Sequence, residues 1–320
     1  MKPEISVVIP TDRFETIEHL IVSLANQTAR GSIELVVVAP DADVLAGHEE
    51  EVKEFHSAPV VVAEIDSLQR ARAMGTRAAS ADVVAFAESH SFPDPHWAEA
   101  LISAHRGPWA VVGPAMVNPH EEGSTGWAKF LVDYGRWVPP VRGGPVQDLP
   151  GHNSSYKRDV LLDYGPELER LLDAEWLLHK NLLSRGHALY LEPAATSRHF
   201  SVTRLIPSIV EWFYFSRAFA TSRSRGWRPA RRFLYMLGSP LIVLVRLRPV
   251  IAAMRRTGQG SQIPRTLPVV LMTLVGSAVG ELVGYAVGGG EGAEGSSQFE
   301  LHRERYSDPY SGSGDAEEPR

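Results

Sequence analysis

The chain has 320 residues, a formal net charge of −6 and no cysteine. That length supports one large or two modest domains with a buried core, and the near-balanced charge gives no global signal for nucleic acid as a partner. Without cysteine there is no disulfide framework, thiol nucleophile or cysteine-ligated metal site. Met1-Lys2-Pro3-Glu4 runs into an apolar stretch too short for a signal peptide, so the amino-terminal domain is expected in the cytoplasm.

The charge is unevenly spread. Between Trp212 and Gly280 stand eleven arginines, no lysine and no acid, whereas residues 291–320 hold eight acids against three arginines. A basic, aromatic and apolar segment followed by an acidic one is the pattern of a membrane-surface segment.

In chain order, residues 5–10 (Ile-Ser-Val-Val-Ile-Pro) read as a buried strand closed by Pro10-Thr11-Asp12. Ile17, Leu20, Ile21 and Leu24 recur at helical spacing and predict a helix over 16–27. Strands at 33–38 and 60–63, an alanine- and arginine-rich helix at 68–79 and a strand at 83–86 follow. This alternation predicts an α/β fold with a doubly wound, mostly parallel sheet. A helix over 97–104 and a strand over 109–112 come next. Residues 118–149 are broken by Gly, Pro and Trp, as a segment covering a site would be. The small, polar stretch 150–158 leads to a short helix at 159–163, a long helical segment over 166–184 and a strand over 187–191.

Beyond residue 201 the character changes. Residues 206–220 are amphipathic and aromatic. Residues 233–245 are an apolar run of thirteen, too short to span a bilayer and suited to a re-entrant or interfacial position. Residues 266–288 carry Glu281 as their one charge and are long enough to span, with the arginine-rich loop between the two runs expected on the cytoplasmic side. The expected division is a domain over 1–205, a membrane-associated helical segment over 206–290 and a disordered acidic tail over 291–320.

One stretch organises the functional reading. The apolar residues 83–86 deliver Glu88 and His90 to a strand's carboxyl end, where open α/β sheets place ligands. Two residues apart in an extended segment, their side chains fall on one side. A carboxylate beside an imidazole suits a divalent cation or a phosphate-bearing ligand.

The opening strand with its Pro10-Thr11 end, followed by a helix closing in Ser23-Leu24-Ala25-Asn26-Gln27-Thr28, resembles the family-2 glycosyltransferases with the Rossmann-like GT-A fold, over residues 4 to 200. A narrower resemblance, to bacterial polysaccharide-type transferases, rests on Ser89-His90-Ser91-Phe92-Pro93, on 149–156 (Leu-Pro-Gly-His-Asn-Ser-Ser-Tyr) and on Gly280-Glu281-Leu282-Val283-Gly284-Tyr285. The resemblance implies transfer of a sugar from a nucleotide-sugar with inversion. It implies a saccharide or lipid-linked acceptor and a site on the cytoplasmic face of the membrane, associated through residues 206–288. It places Pro10, Thr11 and Arg13 near the donor's base and ribose and Arg72 near the nucleotide. Glu88-Ser89-His90 falls where the family has Asp-x-Asp, so Glu88, His90 and a closing His199 become the ligands of a divalent metal, Mn²⁺ or Mg²⁺. Glu175 matches the general base, with Asp173 as competitor, and His152 and Asn153 lie in the acceptor-side loop. His105, His120 and His179 are read as structural or surface residues. Three positions depart from the family pattern: Ala39, Ala73 and His90, which replaces the second acid. They motivate an alternative, a non-catalytic GT-A-like scaffold in a membrane polysaccharide-assembly complex.

Overall fold

The computed structural model describes residues 2–172 and 175–307. The strands are β1 (Ile5–Pro10), β2 (Ile33–Ala39), β3 (Val60–Val62), β4 (Val83–Phe86), β5 (Ser91–Pro93), β6 (Val111–Val117), β7 (Gly144–Val146), β8 (Ser155–Lys157) and β9 (Leu189–His199). The helices of the sheet-bearing part are α1 (Phe14–Ala25), α2 (Glu49–Val52), α3 (Leu68–Ala78), α4 (Trp97–His105), α5 (Thr125–Tyr134), α6 (Arg158–Leu162), α7 (Glu167–Leu172) and α8 (Glu175–Ser184). After them come α9 (Leu205–Arg223), α10 (Pro229–Gly238), α11 (Ile242–Arg256), α12 (Ile263–Val287) and α13 (Gly292–Leu301).

The strands form one sheet in the order β3-β2-β1-β4-β8-β6-β9-β5, with β7 paired to β9. β3, β2, β1 and β4 run parallel; β8 enters antiparallel between β4 and β6, and β9 runs parallel to β6. The apolar runs of β1 and β2 are buried at every position, as a sheet covered on both faces requires. The pleat sends Ile5, Val7 and Ile9 to a core shared with α1 and α4, and Val8 to a second core with α3, α6, α7 and α8. The expected doubly wound α/β fold is what the chain adopts.

Several boundaries differ from the sequence expectation. β9 continues past Pro193 to His199, because the strand bulges there and regains its register with β6 at Thr196. The broken stretch 118–149 contains α5, whose amino end is capped by the Ser124 hydroxyl accepting from Trp127 N at 3.1 Å. Within the segment expected over 166–184, α7 and α8 are helical as expected, and Asp173 lies outside the described residues.

The carboxyl-terminal helices form a unit of their own. On α12, Gly276, Gly280 and Gly284 lie against the backbone of Ile209, Phe213 and Arg217 of α9, so every fourth residue of one helix meets every fourth of the other. A side chain at Gly280 would overlap the Phe213 carbonyl oxygen, so close approach requires glycine there. Glu281, the lone charge in its run, accepts from Arg246 at 2.8 Å, and Arg246 also donates to Ser277 at 2.6 Å. The unit is tied to the rest through a cluster in which Trp127 and Leu131 of α5 pack with Val250, Met254, Val270 and Leu274.

Two corrections concern this region. The run 233–245 is not an isolated short segment: it lies within a helical stretch, Pro229–Arg256, of 28 residues, long and apolar enough to cross a membrane by length and composition, as is Gly260–Val287. The arginines at either end, which bounded the apolar run in the sequence, continue the helix. The tail is not disordered over 291–307. It forms α13 and a following turn at Arg303–Arg305, with Phe299 and Leu301 buried; residues 308–320 lie outside the described residues.

Candidate functional site

Strand register builds the site. β4 ends at Phe86, and a turn closed by Ser91 N donating to Glu88 O at 3.0 Å swings the chain into β5. β5 pairs antiparallel with the end of β9, Ser91 opposite His199, which brings His90 beside His199 with ring centroids 4.8 Å apart. From the other side β8 pairs with β4, Ala85 opposite Ser155, so the turn Gly151–Asn153 leading into β8 arrives next to Glu88. The helix α3, capped by Ser67, contributes Arg72, and the first residue of α8 is Glu175.

Glu88 is buried at the centre. His152 Nδ1 lies 2.9 Å from its Oε1, and Asn153 Nδ2 donates to its Oε2 at 2.7 Å. Around it stand Arg72 Nη2 at 3.9 Å, His90 Nε2 at 3.9 Å and His199 Nε2 at 3.6 Å. Glu175 Oε1 is 3.0 Å from His152 Nε2 and 3.9 Å from Arg72 Nη1, so His152 bridges the two carboxylates. Gly151 makes the bridge possible, since a β-carbon there would overlap the Glu175 side chain.

The electrostatics follow from burial and these pairings. Burial pushes the Glu88 carboxyl up, but the hydrogen bond and positive charge of His152 oppose it, and the carboxyl is held well below its usual range. Burial and Arg72 push His152 down, yet Glu175 and Glu88 raise it to about 10. His90 and His199 are driven well down, chiefly by burial, with Arg303 adding to both shifts, and so present neutral imidazoles. Neutral imidazole and ionised carboxylate are the forms that ligate metal.

The structure thus brings together Arg72, Glu88, His90, His152, Asn153, Glu175 and His199. His152 and Asn153, expected on the acceptor side, turn their side-chain nitrogens to carboxylates. Thr11 is buried, its hydroxyl donating to Arg13 O at 2.6 Å, and Pro10 is buried at the end of β1. Arg13 is exposed and faces Glu304 at 3.4 Å. His105 (Nε2 2.9 Å from Ser155 Oγ) and His179 (2.9 Å from Asp148, 3.0 Å from Tyr156 Oη) are buried structural residues, and His120 accepts from Ser201 N at 2.8 Å.

The sequence reading missed the tail's part. Glu300 Oε2 lies 3.4 Å from His90 Nε2, while Arg303 donates to Glu300 Oε1 at 2.8 Å and to Glu211 Oε1 at 2.9 Å. Behind them Lys129 bridges Glu211 at 3.0 Å and Asp133 at 2.5 Å. The available signal was Phe299 and Leu301, two large apolar residues within a tail rich in glycine, serine and acids. Among the described residues, two donor sets could hold a metal ion: Glu88, His90 and His199, and Glu88, His152 and Glu300, each with ligand atoms within 4.8 Å of one another.

Residues 6–165, half of the chain, match the profile of glycosyl transferase family 2. The chain belongs to that family. None of the curated proteins matches its sequence. Among solved structures, the mannosyltransferase PcManGT from Pyrobaculum calidifontis, in complex with GDP-Man and Mn²⁺, superposes with a TM-score of 0.52 at 15% identity, over 88% of this chain and 88% of that one. This likeness shows the GT-A fold. TarS residues 1-349 from S. aureus follow at 0.45 and 16%, over 88% and 91% of the two chains. GalNAc-T7 with UDP, GalNAc and Mn²⁺ gives 0.46 and 15%; 69% of this chain is covered but only 50% of that protein.

Proposed function

We propose that this family-2 chain is an inverting glycosyltransferase that moves a sugar from a nucleotide-sugar to a saccharide or lipid-linked acceptor at the cytoplasmic face of the membrane, in polysaccharide or glycan assembly. The observation that carries the reading is a buried carboxylate, Glu88, at the end of β4, faced by three imidazoles and by a buried arginine whose Nε and Nη1 have no hydrogen-bond partner. Buried, unmatched N–H groups are costly unless an anion meets them, and the diphosphate of a nucleotide-sugar is such an anion. The mannosyltransferase of similar fold is a complex with GDP-Man and Mn²⁺, which fits the same reading.

In this mechanism Glu175 accepts the acceptor hydroxyl's proton as that oxygen attacks the anomeric carbon and the bond to the diphosphate oxygen breaks. Arg72 takes up charge on the departing diphosphate, with Pro10, Thr11 and Arg13 on the nucleotide side. Glu88, His90 and His199 would hold a divalent cation. When bound, it would neutralise the leaving diphosphate, and the mixed nitrogen and oxygen donors suit Mn²⁺ better than Mg²⁺. His152 and Asn153 fix the Glu88 carboxylate, and His152 stands beside Glu175 where an acceptor hydroxyl would approach.

Residues 206–290 are the membrane-associated segment in this reading. Phe233, Leu234, Leu237, Leu241, Leu244 and Val245 are each more than half exposed along α10, α11 and the turn between them, with the exposed Arg231 and Arg248 interleaved. Apolar side chains facing outward among arginines suit an anionic lipid surface.

A thermal-shift titration with UDP, GDP and dTDP and their sugars, with and without Mn²⁺, tests the proposal. A ligand at about a hundred times its dissociation constant stabilises the fold by about 2.7 kcal/mol. A nucleotide-selective shift is expected. No shift with any of them, in folded protein, would favour the non-catalytic scaffold.

A further inference from the structure

We infer that Glu300, carried by α13, supplies a fourth protein donor to the divalent cation held by Glu88, His90 and His199, so that the segment following the apolar helices closes the cation site. The inference rests on the cation reading above and adds to it a ligand from outside the family-matched residues.

Four observations carry it. First, His90 is fully buried and its Nε2 has no hydrogen-bond partner, although Glu88 Oε2 is 3.9 Å away and Glu300 Oε2 is 3.4 Å away. Neither approach is a hydrogen bond. Second, Glu300 Oε2 is itself a buried oxygen without a partner. A nitrogen and an oxygen facing one another at this separation, both unsatisfied, are costly unless something sits between them. Third, the spacing fits an ion. First-row metals bind imidazole and carboxylate at about 2.0–2.2 Å, which sets adjacent donors roughly 3–3.6 Å apart and opposed donors roughly 4–4.4 Å apart; His90–Glu300 at 3.4 Å and His199–Glu88 at 3.6 Å fall in the adjacent range, and His90–Glu88 at 3.9 Å lies between the two.

Fourth, Glu300 is aimed. Its other oxygen, Oε1, is occupied by Arg303 Nη2 at 2.8 Å, and Arg303 is fixed through Glu211 on α9. Glu211 pairs in turn with the buried Lys129 of α5. The guanidinium therefore takes one oxygen and leaves the other directed at His90, as outer partners orient a ligating carboxylate. Two carboxylates and two imidazoles leave two positions of a six-coordinate ion such as Mn²⁺, and these are where diphosphate oxygens would enter.

The test is calorimetric titration of the full chain with MnCl₂ alone, for wild type, Glu300→Gln and, as a control on the same helix, the exposed Glu294→Gln. Glu300→Gln is expected to weaken Mn²⁺ binding at least tenfold and Glu294→Gln to leave it unchanged. Because Glu300→Gln could also unseat α13, amide hydrogen exchange of the unaltered chain supplies a second readout: Mn²⁺ is expected to slow exchange across 292–305. Equal Mn²⁺ affinity in wild type and a folded Glu300→Gln, or Mn²⁺ binding to wild type without slowing in 292–305, overturns the inference and leaves the three-ligand reading standing. Failure of the wild type to bind Mn²⁺ overturns both.

Discussion

The site is assembled from two kinds of backbone. Glu88, His90, Asn153 and His199 sit on or beside strand ends, so β4, β5, β8 and β9 fix them through ladder hydrogen bonds and register. Glu300 and Arg303 belong to one short helix and a turn, held by ion pairs to Glu211 and by packing such as Phe299 on Tyr306, ring centroids 4.3 Å apart. A strand end cannot slip without turning every side chain to the other face, whereas an ion-paired segment can leave as a unit. The first kind of backbone suits groups that must stay fixed through a reaction; the second makes the placing of a group depend on its charge partners.

The largest effect is expected on chemistry. Glu175→Gln keeps the shape and removes the basicity, so turnover should fall about 10²- to 10⁴-fold with the melting temperature little changed. Unaltered turnover would move the base elsewhere. Next is a test of the contrast itself. Arg303→Met removes a buried cation from between Glu211 and Glu300 and should cost about 3 kcal/mol in denaturant unfolding. Hydrogen exchange in 292–305 should rise while that of β4 stays slow; equal loss in both would show one cooperative unit. Gly280→Ala should cost about 1–3 kcal/mol by forcing α9 and α12 apart, leaving the strand-borne half of the site unchanged by the same exchange measurement.

The most gradual effect, nil near neutrality, is a pH dependence inside the sheet-bearing part. Burial, with Lys157 nearby, drops His105 to about 4, below its ordinary 6.5. The unfolded chain then binds the extra proton between those values, so this contribution is complete above about pH 6.5 and is lost as pH falls towards 4. It amounts to at most about 3 kcal/mol. Comparing wild type with His105→Gln across pH 4–7 isolates it: the wild-type curve should slope more steeply.

How legible each region was follows from the same contrast. The unbroken β-branched runs and the spacing of Ile17, Leu20 and Leu24 are local signals, and the sheet-bearing elements fell close to where those signals put them. Glu88 and His90 were legible because a strand end announces its own position. Their neighbours are a different matter: that His152 lies between Glu88 and Glu175 depends on β8 entering antiparallel beside β4, a pairing no local pattern encodes. Glu300 and Arg303 were illegible because their sequence surroundings, glycine, serine and acids, are those of an unstructured chain. What orders them is a buried charge chain reaching Lys129, more than 170 positions away in sequence. Here tertiary ion pairing overrode composition.

The position of α13 in chain order has a consequence for synthesis. Residues 292–305 are made after both long apolar helices, yet they carry a carboxylate that faces His90. A growing chain therefore has its sheet, its strand-end carboxylate and its apolar helices before it has the segment that carries Glu300. The order of translation therefore puts the meeting of Glu300 with His90 after the emergence of the apolar helices.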